Sequence, residues 1–223
     1  MRSGNMGKAV ELRDLSMQGV DIDTLAFDID IGSMEDGVPD VGGTEEKAGE
    51  KTKGKPWTTR GVRCDMKPCL AAREKNGHRY VSLFASSKEG MTLEEIKNSP
   101  KCEEQMAAAL IRHLRESLGT NLAECGWAMM TTGRRRHREG YHFATAVSSV
   151  AAKELGIPFR EDVIRCANAD RLKPALTIEA EPEEKNLILF DDIITTGTTM
   201  SRTADLLMER GKTVLIVIGI RNQ

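Results

Sequence analysis

The sequence predicts an α/β protein, in which parallel strands alternate with helices. Residues 187–200, LILFDDIITTGTTM, place two aspartates after four large apolar residues and then turn through threonine and glycine. The amphipathic segment MSRTADLLMERG and the β-branched run TVLIVIGI follow, so this region forms one βαβ unit. An earlier apolar run, NLAECGWAMMTT, is bounded by glycines and indicates a second buried strand.

Composition limits the classes of function. The chain has 223 residues and a formal net charge of −2, so an attraction to nucleic acid would have to be local. It has no apolar run approaching the roughly 20 residues that cross a bilayer, and its polar N-terminus lacks a signal-peptide core. We therefore expect a cytoplasmic protein with no membrane partner.

The five cysteines, at positions 64, 69, 102, 125 and 166, are odd in number and scattered. This pattern favours reduced thiols over the disulfide framework of a small secreted domain. Cys64 and Cys69 could be half of a zinc site, but no matching second pair follows, so a structural role is favoured.

Residues 1–56 are predicted to be a largely flexible N-terminal extension. Within them, residues 30–56 are rich in glycine and charge and show no helical or strand period. The run VDIDTLAFDIDI alternates well enough for a strand if another edge supplies a partner.

Residues 57–99 are predicted to contain a small β-hairpin. The segments CLAARE and HRYVSLFA flank Lys75-Asn76-Gly77, and Asn-Gly between alternating apolar runs is a strong hairpin signal. Nothing in this hairpin predicts a catalytic role.

Residues 100–223 are predicted to form the main domain, which begins with an amphipathic helix. In KCEEQMAAALIRHLRESLG the apolar stripe at positions 106, 110, 114 and 118 is closed by Gly119. His113 on this helix is interpreted as a flank or core histidine rather than a metal ligand.

A basic loop follows the strand in NLAECGWAMMTT. Residues 134–138 are all basic or potentially basic, and a helix with an apolar face at positions 144, 147, 151 and 155 comes next. The loop therefore lies after a strand and before a helix, where open α/β sheets bind ligands and helix N-termini favour anions. A solvated loop is the alternative.

Residues 159–186 are the least regular part of this region, with a short strand predicted at EDVIRC and a mobile loop after it. Long loops are often lids, so Arg171 and Lys173 could close over an anionic substrate. They could equally be ordinary solvent-facing charges.

The aspartates and the turn predict a sugar-phosphate site. The strand LILF ends at Asp191 and Asp192, and the turn Thr195–Thr199 opens a helix whose N–H groups and capping threonines suit a phosphate. Carboxylates beside a phosphate make sense if they accept hydrogen bonds from sugar hydroxyls, with Mg²⁺ nearby. We therefore expect a ribose 5-phosphate ligand.

LILFDDIITTGTT resembles the diagnostic motif of the type I phosphoribosyltransferase family, a hydrophobic strand, two acids and a threonine- and glycine-rich phosphate loop. RRRHREGYHFATA is similar to the Arg-rich segment of the ComF-like competence-associated subgroup, with His142 where that subgroup usually has asparagine. The resemblance covers roughly residues 100–223. It implies an open, mostly parallel sheet flanked by helices.

The resemblance also implies roles for individual residues. Asp191 and Asp192 would contact the ribose hydroxyls of 5-phosphoribosyl 1-pyrophosphate (PRPP) and, indirectly or through the substrate, Mg²⁺. The 5-phosphate would bind Thr195, Thr196, Gly197, Thr198 and Thr199. The pyrophosphate loop would be Thr132, Gly133 and Arg134, and the hood would be the loop at 166–185. Thr195 stands where some purine-specific members carry an acid, which disfavours a purine-salvage role of that kind.

The expected reaction is displacement of pyrophosphate from the anomeric carbon by a nitrogenous acceptor, and the sequence does not identify that acceptor. A noncatalytic PRPP sensor is the first alternative. In it, the basic run 134–138 could contact nucleic acid phosphates. A third, narrower alternative is that the domain acts for a partner protein that it reaches through its N-terminal extension. A homodimer is the commonest soluble assembly and is the default expectation.

Overall fold

A computed structural model describes residues 61–132, 134–135, 141–168 and 173–222, with only the backbone described at 134 and 135. The flexible extension predicted at 1–56 lies outside the described residues. The same is true of Gly133, of positions 136–138 in the basic run, and of Arg171.

The described residues form eleven strands and four helices. The strands are β1 Arg63–Cys64, β2 Pro68–Lys75, β3 His78–Ala85, β4 Met91–Thr92, β5 Trp127–Thr131, β6 Arg134–Arg135, β7 Phe159–Arg160, β8 Ile164–Cys166, β9 Leu176–Ile178, β10 Asn186–Ile194 and β11 Thr213–Arg221. The helices are α1 Leu93–Lys97, α2 Pro100–Leu118, α3 Phe143–Leu155 and α4 Thr198–Met208.

The central sheet has six strands in the order β2-β3-β11-β10-β5-β7. Every neighbouring pair is parallel except β2 with β3, which is antiparallel and closes one edge. Strands β1 and β4 form a two-stranded sheet, and β6, β8 and β9 form a three-stranded sheet. The predicted α/β class with an open, mostly parallel sheet and flanking helices is confirmed.

Helices cover both faces of the central sheet because its strands carry apolar side chains on both sides. One buried cluster joins residues of α2 and α3 to Ile188 and Phe190 of β10. The other joins α4 to Leu187 and Leu189 of the same strand. None of the described helices is both long and apolar enough to cross a membrane.

The predicted helices are present with small differences. Helix α2 buries Met106, Leu110 and Leu114 as expected, and α3 buries its predicted face. His113 is buried, with Nδ1 3.2 Å from the Ser117 hydroxyl, which fits the core interpretation. Met208 was predicted on the apolar face of α4, but it is 43% exposed because it is the last residue of the helix.

The predicted hairpin is present as β2 and β3. Asn76 and Gly77 have φ angles of 52° and 80°, the left-handed pair that a two-residue hairpin turn requires. The hairpin extends the central sheet, since β3 pairs in parallel with β11. Residues 68–85 therefore share one sheet with the strands of the predicted main domain.

Two predicted boundaries change. The strand predicted to end before Asp191 continues to Ile194, because β11 pairs with it as far as Ile194 with Arg221. The mobile loop predicted after EDVIRC contains β9, which pairs antiparallel with β8. Strands β8 and β9 thus form a second antiparallel pair, and residues 169–172 between them lie outside the described residues.

Candidate functional site

The sheet reverses its winding between β5 and β10. From β5 the chain passes through α3 to β7 on one side, and from β10 it passes through α4 to β11 on the other. Helices α3 and α4 accordingly pack into different buried clusters, on opposite faces. Open α/β sheets bind ligands at the carboxyl ends of the strands at such a switch point.

The predicted site segments meet at this switch point. Phe190 pairs with Thr131, the last residue of β5, so the two aspartates lie just beyond the end of β5 and beside Thr132. Thr132 is 9% exposed. After Gly133, the backbone of Arg134 pairs with Arg165 of β8, so this loop leads from the central sheet into the three-stranded one.

The two aspartates have different surroundings, because neighbouring residues of a strand point to opposite faces. Asp192 is 8% exposed, and its carboxylate forms an ion pair with Lys97 at the end of α1. Asp191 is less buried, and its Oδ1 accepts a 2.9 Å hydrogen bond from the Asp192 N–H. The sequence predicted equivalent roles for these residues, but Asp192 already has a cationic partner.

The environment of Asp191 disfavours its charged form. Desolvation and the neighbouring Asp192 carboxylate raise the pKa of Asp191 to about 8, and the attraction of Lys97 only partly offsets them. A ligand that donates hydrogen bonds or carries positive charge to this carboxylate would therefore promote loss of its proton. Within the described residues no cluster of three metal-ligating side chains occurs, so any Mg²⁺ here would need substrate or water oxygens as well.

The Thr195–Thr199 turn opens α4. Gly197 is the N-cap, with φ 74°, and the first intrahelical bond runs from the Ser201 N–H to the Gly197 carbonyl at 2.9 Å. The amides before Ser201 therefore precede the helical ladder, as at any helix start. The N-cap has no side chain to act as a cap, contrary to the prediction that a threonine caps the helix. One position earlier, Thr196 Oγ1 accepts from the Thr198 N–H at 3.4 Å.

The tip of the β2–β3 hairpin contacts this turn, which the sequence did not predict. Lys75 Nζ donates to the Thr195 carbonyl at 2.5 Å, and Asn76 Nδ2 donates to the Thr196 carbonyl at 3.1 Å. Asn-Gly predicted the hairpin itself, but these contacts join residues 120 positions apart. No local sequence pattern reports such a contact.

Of the two predicted hood residues, the structure describes only Lys173. Lys173 is exposed and lies between β8 and β9, and its carbonyl accepts a hydrogen bond from Asn168 Nδ2 at 2.9 Å. His142, at the position where the subgroup usually has asparagine, is the N-cap of α3 and its Nδ1 accepts from the Thr145 N–H at 3.3 Å. The histidine thus performs the capping that an asparagine side chain commonly provides.

Two shallow clefts of about 300 and 290 Å³ lie elsewhere, between the β2–β3 hairpin and α2. They are lined mainly by apolar side chains, with Arg112 at both. They include none of the predicted site residues.

No family model matches the sequence, and no curated protein matches it either. Among solved structures, the chain is similar to adenine phosphoribosyltransferase from Saccharomyces cerevisiae in complex with an imino-altritol bisphosphate and adenine, with 19% identity, 68% of this chain and 83% of that chain covered, and a TM-score of 0.41. It is also similar to orotate phosphoribosyltransferase from Aeropyrum pernix, with 16% identity, 73% of this chain and 77% of that chain covered, and a TM-score of 0.40. A third similar structure is adenine phosphoribosyltransferase from Leishmania tarentolae, with 15% identity, 61% of this chain and 80% of that chain covered, and a TM-score of 0.39. The resemblance to ComF-like proteins stays a prediction.

Proposed function

We propose that this protein binds the magnesium complex of PRPP and transfers phosphoribose to a nitrogenous acceptor, with release of pyrophosphate. The observation that carries the proposal is the position of the aspartate pair and the Thr195–Thr199 turn. They lie at the switch point between β5 and β10, directly before the N-terminus of α4. The motif resemblance and this geometry point to the same ligand.

The 5-phosphate is assigned to the turn. The amides that open α4 and the dipole of that helix favour an anion there. Gly197 is buried and has a left-handed backbone, so the chain can bend closely around a phosphate without a side chain in the way. The hydroxyl groups of Thr196 and Thr198, which lie 3.2 Å apart, supply further donors beside these amides.

The ribose hydroxyls are assigned chiefly to Asp191. Its carboxylate accepts a hydrogen bond from the Asp192 N–H, whereas the Asp192 carboxylate is already paired with Lys97. In this assignment Asp192 positions the strand end and keeps negative charge beside the sugar. Asp191 must lose its proton to accept both hydrogen bonds that a ribose diol offers.

Pyrophosphate is assigned to the loop after β5, at Thr132, Gly133 and Arg134. Bound Mg²⁺ would be held by substrate oxygens and the aspartate carboxylates and would neutralise charge on the leaving group. The protein's own part is to hold the sugar from two sides. The Thr195–Thr199 turn binds the 5-phosphate and Asp191 orients the ribose ring, so that the anomeric carbon faces the switch point between β5 and β10.

Catalysis then follows from differential stabilisation. As the bond to pyrophosphate breaks, positive charge grows on the ribose and negative charge on the leaving group. The aspartate carboxylates stabilise the former, and the basic loop stabilises the latter. Because an acceptor nitrogen attacks directly, the step requires no nucleophile from the protein.

Calorimetry tests the binding assignment. We expect Mg-PRPP to bind the wild-type protein and Asp191→Asn to weaken binding by about tenfold or more, because a charge-assisted hydrogen bond is lost. Glu209→Gln is the control, since Glu209 is exposed at the C-terminal end of α4, whereas the Thr195–Thr199 turn lies at the N-terminal end of that helix. Unchanged affinity in Asp191→Asn would refute the ribose assignment.

Turnover is tested by release of pyrophosphate from PRPP with a panel of nitrogenous acceptors. Release that depends on one acceptor supports the transferase. Binding of PRPP without release from any acceptor would support a sensor instead. Salt-dependent retention on DNA that is lost on neutralising Arg134, Arg135 and Arg136 would support the nucleic-acid alternative.

A further inference from the structure

We propose that the tip of the β2–β3 hairpin is part of the phosphate site. In this proposal Lys75 and Asn76 bind the carbonyl side of the turn, and so orient the amides that receive the bound 5-phosphate on its other side. This inference rests on the proposed function. It assigns a positioning role to a hairpin in which the sequence indicated no functional residue.

The contacts between hairpin and turn are close and specific. Lys75 and Asn76 donate to two successive carbonyls, those of Thr195 and Thr196, at 2.5 and 3.1 Å. A Cβ atom added to Gly197 would lie 3.1 Å from Lys75 Cδ and 3.3 Å from Asn76 Nδ2. The hairpin tip therefore packs directly against the backbone of the turn.

The direction of these hydrogen bonds fixes the direction of the amides. In a trans peptide the N–H points opposite to the C=O of the same unit. The Thr195 carbonyl shares its peptide plane with the Thr196 N–H, and the Thr196 carbonyl shares one with the Gly197 N–H. Since both carbonyls point at the hairpin, both N–H groups point away from it.

Lys75 also brings a charge that has no carboxylate partner among the described residues. A lysine ammonium has three donors, and the Thr195 carbonyl uses one of them. Its side chain is partly buried, so its charge is less screened by water than a surface lysine's. That charge lies on the carbonyl side of the turn and would attract an anion held by the amides on the other side, without contacting it.

The hairpin tip is held in place independently of any ligand. His78 Nε2 lies 2.8 Å from Asp205 Oδ1 on α4, and His78 pairs with Lys75 across the hairpin. Asn76 and Gly77 adopt the left-handed turn that fixes the strand register. The lysine is therefore presented from a rigid element, as a positioning residue needs to be.

The test measures the affinity of two probes for full-length Lys75→Met, by calorimetry. Ribose 5-phosphate reports the turn, and inorganic pyrophosphate with Mg²⁺ reports the loop after β5. We expect ribose 5-phosphate to bind about tenfold more weakly than to wild type, because the hydrogen bond that orients the Thr196 N–H is lost together with the attraction of the nearby charge. Pyrophosphate affinity should stay within about twofold, because its loop does not contact Lys75 in this assignment.

Two further variants separate charge from packing. Lys75→Arg keeps the positive charge and should recover most of the ribose 5-phosphate affinity, whereas a loss equal to that of Lys75→Met would count against a charge role. Lys101→Met removes an exposed lysine at the start of α2 and should leave both affinities unchanged. Thermal unfolding of each unliganded variant monitors the fold.

Two results would overturn the inference. One is wild-type affinity of Lys75→Met for ribose 5-phosphate. The other is an equal loss of both ligands, which would indicate general damage to the sheet edge. If the wild-type protein itself bound neither ribose 5-phosphate nor PRPP, the proposed function would fail and the inference with it.

Discussion

The ion pair between Lys97 and Asp192 should contribute asymmetrically to stability. Asp192 has a side chain that is 11% exposed, whereas that of Lys97 is 41% exposed. Removing the lysine leaves a carboxylate with little access to water. Removing the carboxylate leaves an ammonium group that can turn toward solvent. We therefore expect Lys97→Met to destabilise the protein more than Asp192→Asn does.

The two exposures also set the magnitude. Breaking a fully buried pair costs about 3–5 kcal/mol, whereas exposed pairs contribute about 0.2–1 kcal/mol. This pair lies between those cases. We expect a loss of about 2 kcal/mol for Lys97→Met and about 1 kcal/mol for Asp192→Asn. Methionine retains the apolar stem of the lysine, so the larger loss reports the charge rather than the packing.

The assay is a double-mutant cycle on the free energy of unfolding in urea at pH 7. The double variant Lys97→Met with Asp192→Asn removes the stranded charge. Its loss of unfolding free energy should therefore be smaller than the sum of the two single-variant losses by about 1–1.5 kcal/mol.

The control cycle uses Arg115 and Glu154, whose side chains are 44% and 61% exposed and whose charged groups lie 3.2 Å apart. Its coupling should be about 0.5 kcal/mol or less. A Lys97–Asp192 coupling no larger than this control, or equal losses in the two single variants, would refute the burial argument.

Three further predictions concern the same edge of the sheet. Gly197→Ala should lose about 1–2 kcal/mol from its left-handed backbone and a further amount from the contact with Lys75, whereas Gly156→Ala, with φ 68° and open space around it, should show the backbone loss alone. Equal losses in urea unfolding would mean that the hairpin does not pack on the turn. Gly219→Ala places a Cβ 2.7 Å from the Asp192 carbonyl. It should cost about 3 kcal/mol by the same assay, and a loss below about 1 kcal/mol would contradict that packing. Folding raises the pKa of Asp191 from 3.8 to about 8. The protonated Asp191 side chain therefore contributes its full stabilisation below pH 3.8, and this contribution is lost as the pH rises through about 8. Asp191→Asn should abolish this fall in unfolding free energy between pH 5 and 9, and an unchanged slope would show that another group titrates.

The longer helices and the main strands of the central sheet could be predicted because each leaves a pattern that is local in the sequence, whereas α1 and the short strands other than β8 were not predicted. The buried run at 187–190 identified β10, and the repeat at Met106, Leu110 and Leu114 identified α2. The switch point was not predicted, because it depends on the spatial order of the strands in the sheet. The ends of the strands do not follow from such patterns, because pairing with a neighbouring strand decides where a strand ends. Pairing with β11, for example, extends β10 to Ile194.

The finer chemistry of the site was not predictable, because it depends on contacts between distant segments. Asp191 and Asp192 are identical in type and adjacent in sequence, yet only Asp192 meets Lys97. Lys75 is one of many lysines in the sequence, and its proximity to Thr195 arises only after β3 has paired with β11. Side chains at positions 134–138 and Arg171 are not described, so their predicted roles stay predictions.

The place of β11 in the sheet has a consequence for biosynthesis. Strand β3 is buried along most of its length, and its parallel neighbour is β11, with Val81 opposite Val217. At typical elongation rates a ribosome adds the intervening residues in roughly ten seconds. During that interval the nascent hairpin exposes Leu83 and Phe84 without their eventual cover. Chaperone capture of nascent chains should therefore be strongest before residues 213–221 emerge and should fall once they do.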